Sequence, residues 1–290
     1  MSALRLLVIE GNIRAARDRS VASGGTVASE SYAELLRSLS PAGTVTDICY
    51  PADPGANLPD SGGLEGYDGV AITGSALNIY DGGPAIDPQI ELVRALFKTG
   101  TPCFGSCWGL QLATVACGGA VGKHPEGREI GIGRRIEILT PGHGHGLYLG
   151  KPRLFDAITV HLDQVETLAP GTTVLATNAW SEVQAAEIDT PGSGNFWGVQ
   201  YHPEYTFAEI AAVFRRYGDI LVQQGIFPDL TAQDAFIADL DALHADPASK
   251  PLIWKYGLDQ TILDPAIRTR ELKNWIDQAV LPARSLRGRG

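Results

Sequence analysis

The sequence predicts an α/β fold, a mostly parallel open sheet flanked by helices, with a helical C-terminal extension. Three observations point to it. Short apolar runs bounded by Gly and Pro alternate with amphipathic segments, the pattern of βαβ units. Residues 102–116 read as a strand, a sharp turn and a helix. From about residue 227 onward the pattern becomes helical, with Phe236, Ile237, Leu240 and Leu243 recurring at helical spacing.

Leu4 to Ile9 is the first strand, Ser31 to Leu39 a helix, and Val45 to Cys49 and Gly69 to Thr73 are strands. Pro88 to Lys98 is a helix whose Ile90, Val93, Leu96 and Phe97 form an apolar stripe, leaving Glu91, Arg94 and Lys98 to water. The strand Pro102 to Gly105 leads into Cys107 and the helical run Leu110 to Ala116. Arg134 to Leu139, Ala157 to His161, Thr173 to Thr177, Val183 to Ile188 and Asn195 to Gln200 read as further strands, so the second half is richer in β structure. We divide the chain into a domain over 1–226 and a helical extension over 227–290. In the extension Thr231 and Asp234 suit an N-terminal cap, and Asp264-Pro265 opens a helix running through Trp275, Ile276 and Val280.

Two segments read as loops. Residues 11–28 hold Arg14, Arg17, Arg19 and Gly24-Gly25 and suit a mobile lid, since long loops in compact domains are often functional. Residues 141–146 hold His143 and His145 without a carboxylate partner, and we expect no metal site there.

The chain has 290 residues, 44% of them hydrophobic, enough for a substantial core. Its net charge of -10 argues against nucleic acid or an anionic membrane as partner and favours small-molecule chemistry. The apolar stretch Leu4 to Ile9 is too short for a signal-peptide core or a membrane span, and we expect a cytoplasmic protein. Cysteines 49, 103, 107 and 117 form no CxxC pair, so a disulfide framework or zinc knuckle is not expected. Cys49, Cys103 and Cys117 read as core.

Gly105-Ser106-Cys107-Trp108-Gly109-Leu110-Gln111 sets a cysteine between two glycines at a strand-to-helix junction, a nucleophile elbow that projects the thiol at the carboxyl edge of the sheet. The helix after it aims N–H groups and positive dipole at the sulfur, favouring thiolate. A lone cysteine there also reads as packing. Tyr201-His202-Pro203-Glu204, after the strand Asn195 to Gln200, supplies what a nucleophile needs: a histidine and, two residues on, a carboxylate to fix its tautomer.

At these residues the chain resembles class I glutamine amidotransferases, above all the amidotransferase domain of GMP synthases, over roughly residues 4–225. The family pattern G-x-C-x-G-x-Q matches Gly105, Cys107, Gly109 and Gln111, and its H-P-E motif matches His202, Pro203 and Glu204. The resemblance implies a flavodoxin-like sheet, a catalytic triad of Cys107, His202 and Glu204, and no cofactor. It implies an oxyanion hole from Gly74 or Ser75, in Thr73-Gly74-Ser75-Ala76 where many members have Gly-Gly-Pro, with the backbone N–H of Trp108 as partner donor. Val160-His161-Leu162-Asp163 stands where the family has S-H-G-D, so Val160 and His161 would hold the amino-acid end of the substrate. Gln111 would contact it too, and Tyr80 would line the pocket. Gly127-Arg128-Glu129-Ile130-Gly131 reads as structural.

In such enzymes the thiolate attacks the side-chain amide of glutamine, releases ammonia, and water cleaves the γ-glutamyl thioester. No G-x-x-x-x-G-K-[ST] loop is present, so an ammonia-accepting synthetase would be a separate polypeptide. The main expectation is a glutaminase serving such a partner. The alternatives are a stand-alone hydrolase of γ-glutamyl amides or peptides, a non-catalytic regulatory module, and a cysteine hydrolase that uses Glu10 at the end of the first strand. The C-terminal helices could cover the sheet edge, dock a partner or form a homo-oligomer contact, and the sequence does not choose.

Overall fold

Leu6, Leu7, Val8 and Ile9 are all buried, which is what a central strand covered on both faces requires. In the computed structural model, which describes residues 3–55, 63–192 and 194–288, they form β1 (Arg5–Ile9). The other strands are β2 (Val45–Cys49), β3 (Gly69–Ile72), β4 (Cys103–Ser106), β5 (Ala120–Lys123), β6 (Glu129–Ile138), β7 (Leu154–His161), β8 (Asp163–Thr167), β9 (Thr172–Thr177), β10 (Ala185–Asp189) and β11 (Asn195–Val199). Among the described residues nine strands make one sheet in the order β2-β1-β3-β4-β11-β10-β9-β6-β7, and β5 pairs with β8 apart from it. From β2 to β11 every pairing is parallel; from β11 to β7 every pairing is antiparallel.

The seam between the halves positions the chemistry. Parallel pairing sets Ser106 opposite Val199, so the residues just beyond both strand ends, from Cys107 and from Gln200 onward, emerge side by side.

The helices of the main body are α1 (Arg14–Ala22), α2 (Ala28–Leu39), α3 (Asp87–Phe97), α4 (Trp108–Ala116) and α5 (Phe207–Tyr217). They are followed by α6 (Ile220–Gln223), α7 (Leu230–Ala245), α8 (Lys250–Tyr256), α9 (Gln260–Leu263), α10 (Pro265–Arg268) and α11 (Arg270–Trp275), then a π-turn (Ile276–Val280) and α12 (Leu281–Leu286). One sheet face packs on α3 and α4 through Val93, Leu96, Leu110 and Leu112. The other packs on α2 and on Leu272, Trp275, Ile276 and Val280. Trp275 stands 6.0 Å from Phe104, ring to ring. Gly69 makes room for this segment, since a Cβ there would lie 2.7 Å from Val280. α5 and α7 share a third cluster with Ile158 of β7.

Residues 227–288 thus contribute to the central core. A buried ion pair, Lys151 Nζ to Glu271 at 2.9 Å, joins them to the sheet region, and Tyr201 donates to the same carboxylate at 2.6 Å. We propose that both parts of the chain fold as one unit. Among the described residues no helix is long and apolar enough to cross a membrane.

Several expectations need correction. Residues 11–28 are not a long loop: α1 occupies their centre. Its sequence hides it, because only Ala16 of its nine residues is buried. Arg17 fixes it, bridging Asp53 at 2.6 Å, donating to the Asn12 carbonyl at 2.7 Å and lying over Tyr50. α7 is capped not by Thr231 or Asp234 but by Asp229, whose carboxylate accepts from Ala232 N–H. The helix expected from Asp264 is three pieces, although Asp264 does cap the first. The strand expected from Arg134 starts at Glu129 and kinks at Arg135, whose φ is 53°, within a bulge. The sequence reading passed over α5, although Thr206 and Glu209 form a T-x-x-E capping signal there and the Thr206 hydroxyl accepts from Glu209 N–H.

Candidate active site

Cys107 is buried and holds φ 49°, ψ -97°, a conformation that side-chain-bearing residues rarely adopt. The strain thus sits on the cysteine, while the flanking glycines serve close packing. A Cβ on Gly105 would lie 2.7 Å from the Gly109 backbone, and one on Gly109 2.9 Å from the Ile72 carbonyl. Small residues there let α4 start directly against β3 and β4, with its N-terminus at the sulfur.

His202 lines the same cavity as Cys107, and its ring is electrostatically coupled to that thiol. Its Nδ1 lies 2.7 Å from Glu204 Oε1, and both side chains are under 10% exposed, so little solvent screens the pair. Ser106 donates to Glu204 Oε2 at 2.9 Å, and the Tyr32 hydroxyl meets Ser106 at 3.1 Å. With the serine proton committed to the carboxylate, Tyr32 donates to Ser106. Tyr205 stacks on the imidazole, centroids 4.1 Å apart. Burial would make His202 less basic, but the Glu204 carboxylate and the neighbouring Cys107 outweigh it and push the ring up to about 10. Such an imidazole can take the thiol proton and hold it.

Cys107 and His202 open on a cavity of about 360 Å³, and Glu204 backs the imidazole. Gly74, Ser75, Val160 to Asp163, Arg17, Arg19, Arg128, Arg216 and Tyr217 are among the residues that line it. The Tyr217 ring has Arg128 at 4.5 Å and Arg216 at 5.9 Å.

Comparison with known proteins bears on this geometry. The model of the family described as glutamine amidotransferase class-I matches residues 30–215. The chain belongs to the class I glutamine amidotransferase family. A γ-glutamyl-L-1-hydroxyisopropylamide hydrolase from Pseudomonas sp is 34% identical over 289 residues, 97% of this chain and 95% of that one. A GMP synthase from Lactococcus lactis is 32% identical over 137 residues, 47% of this chain and 24% of that protein. A glutamine amidotransferase structure from Thermotoga maritima, at 18% identity, shares the fold with a TM-score of 0.66 over 97% of this chain and 99% of that one.

Of the residues expected as oxyanion donors, Gly74 and Ser75 line the cavity. Gly74 has no room for a side chain, since a Cβ would lie 2.7 Å from His202 Cε1. Ser75 donates to the Gly11 carbonyl at 2.8 Å and accepts from Leu77 N–H, which fixes the loop. Trp108 is the first residue of α4, so its N–H has no partner within the helix. Val160 lines the cavity, with its carbonyl 3.6 Å from the sulfur.

The other expected site residues also make contacts within the protein. His161 lines the cavity, but its Nε2 contacts Glu129 at 2.7 Å and its Nδ1 the Asp163 carbonyl at 3.1 Å. Glu129 also accepts from Asn178 and Gln184; burial pushes its carboxyl up, but these bonds and His161 outweigh it and hold it below the usual range. Tyr80 is half exposed and not among the lining residues; it donates to Asp163 at 3.1 Å and so acts on the cavity through that residue. Gln111 lines the cavity and contacts Gln200 and the Asp163 carbonyl. Arg128, read as structural, lines the cavity.

Glu10 is engaged elsewhere, accepting from Asn12 and from Ser29 N–H at the start of α2. His143 contacts the Ile138 carbonyl and His145 accepts from Leu147 N–H; against expectation His145 does have a carboxylate neighbour, Glu187 of β10 at 3.3 Å, so its ring ties the loop to the sheet. Cys49 and Cys103 are buried free thiols, and burial pushes Cys49 up to about 12. The sequence reading missed Ser106, Tyr32, Tyr205 and Gln200; Ser106 lies inside one quoted motif and Gln200 and Tyr205 flank the other, so those three were within reach.

Proposed function

We propose that the chain is a hydrolase of γ-glutamyl amides that works through a thioester on Cys107, with His202 and Glu204 completing the triad, and that needs no synthetase partner. The observation that carries the chemistry is the buried line of thiol, imidazole and carboxylate opening on a cavity. The choice of hydrolysis rests on the Pseudomonas relative, whose match runs through the C-terminal helices that in this chain build the core.

The Cys107 proton moves to His202, and the thiolate attacks the γ-amide carbon, forming a C–S bond and an oxyanion. N–H groups of Trp108 and of Gly74 or Ser75 receive that charge; losing one such donor typically costs about 3 kcal/mol. The intermediate collapses, the C–N bond breaks, and the amine leaves with the proton from His202. Water then gives a proton to His202 and adds to the thioester, releasing glutamate and restoring the thiol.

The match to GMP synthase favours a second reading, a glutaminase feeding a separate synthetase. One assay separates them. Purified protein alone is given glutamine, γ-glutamyl alkylamides and γ-glutamyl dipeptides, beside Cys107→Ala. The expected result is amine release from the substituted amides at least about tenfold faster than ammonia from glutamine, a gap of about 1.4 kcal/mol, and nothing from Cys107→Ala. Activity confined to glutamine would favour the second reading, and a Cys107→Ala protein that still turns over would end both.

A further inference from the structure

Gln200 follows β11 and is fully buried, its backbone N–H held by the Gln184 carbonyl at 2.8 Å. Its side-chain Nε2 lies 3.3 Å from Cys107 Sγ. The steps of acyl transfer above give that contact no role.

The orientation of the Gln200 amide follows from its surroundings. Gln111 Nε2, on α4, sits 3.4 Å from the Asp163 carbonyl and 3.4 Å from Gln200 Oε1. A nitrogen facing a carbonyl can only donate, so the turn of Gln111 is set. Gln200 must then present its oxygen to Gln111 and its N–H to the sulfur, because the flipped amide would oppose two donors.

The sulfur therefore has one neighbour that accepts and one that donates. The Val160 carbonyl at 3.6 Å accepts from a thiol and repels a thiolate. The Gln200 N–H does the reverse, since a thiol is a weak acceptor and a thiolate a strong one. The titratable and charged groups that share its cavity are His202, backed by Glu204 and stacked by Tyr205, then His161, Asp163 and Glu209, and the cations Arg17, Arg19, Arg128 and Arg216.

We propose that Gln200 is a catalytic residue that binds the Cys107 thiolate through its side-chain N–H, and that Gln111 is a positioning residue that turns Gln200 to do so. This rests on Cys107 being the nucleophile. As the proton passes from Sγ to His202 the S–H contact to Val160 is lost, and the N–H bond from Gln200 strengthens; no bond to carbon changes.

The test is alkylation of the substrate-free protein by iodoacetamide, followed at Cys107 by mass spectrometry across a pH series. Gln200→Glu keeps the volume and an oxygen for Gln111 but has no N–H for the sulfur. It should react roughly tenfold or more slowly at neutral pH, with its profile displaced to alkaline pH. Gln111→Glu, which draws the Gln200 N–H away from the sulfur without touching it, should slow alkylation in the same direction with no substrate present. Thermal unfolding shows whether each variant is folded, and should Gln200→Glu fail to fold, Gln111→Glu decides. Wild-type alkylation in a folded Gln200→Glu, or in Gln111→Glu if that variant decides, overturns the proposal. Failure of the underlying functional reading looks different, as hydrolysis that survives Cys107→Ala.

Discussion

Two buried histidine–carboxylate pairs flank Cys107 with the same 2.7 Å contact, His202 with Glu204 and His161 with Glu129, yet their surroundings differ. Both ring nitrogens of His161 face acceptors, and Glu129 collects donors from His161, Asn178 and Gln184. That pair is saturated and holds β6 to β7 and to the loop before β10. His202 has one nitrogen on Glu204 and shares a cavity with an ionisable thiol to which it is electrostatically coupled. Under the proposed function the same two side chains make a brace where every partner is fixed, and a proton carrier where one partner can change charge.

The comparison can be broken most directly at the histidines. His202→Asn should lower turnover by about 10⁴-fold or more, as loss of a triad base does, whereas His161→Asn should keep activity within roughly a hundredfold of wild type and lose thermal stability instead. Equal losses of kcat in a steady-state assay would erase the distinction. Glu204→Gln comes next, with a loss of roughly a hundredfold or more because the imidazolium loses its counter-charge.

The same pair should mark stability against pH. The His202 ring is raised from an ordinary 6.5 to about 10, so its contribution is fully present below about 6.5 and is lost as pH rises through about 10. The melting temperature of wild type, measured relative to Glu204→Gln, should therefore fall across that window; a constant difference would contradict it. For Glu129 the sign is opposite. Its carboxyl is held below the ordinary 4.5, so its contribution is present above that value and is lost on further acidification.

Glu129→Gln should destabilise by about 3 kcal/mol in urea unfolding, since it leaves buried donors without their charged acceptor, while kcat falls far less than in Glu204→Gln. The smallest effect is expected at Glu10. Removing it as Glu10→Ala takes the acceptor from Ser29 N–H and should cost about 1 kcal/mol of stability, with kcat within about threefold of wild type. A larger loss of turnover would return Glu10 to the list of catalytic carboxylates.

Much of this was readable in the sequence where the structure is local. β1 through β4 and α3 declare themselves by short apolar runs and a helical stripe, and the elbow at Cys107 by glycines two residues to either side. α1 was lost because it buries little, and β5 and β8 because each buries one residue and they pair outside the main sheet. Tyr80 stayed out of the lining because its hydroxyl reaches Asp163, a contact across 83 residues that no spacing rule foresees.

By itself the sequence determined the strand, elbow and helix that raise the thiol, and the two-residue step from His202 to Glu204, because both depend only on near neighbours along the chain. The tertiary structure alone decided that Gln200 meets the sulfur, that Tyr32 and Ser106 back Glu204, and that Trp275 and its neighbours cover the sheet. Those contacts join residues 74 to 171 positions apart, and only the register of β4 against β11 and the closing of the core bring them together.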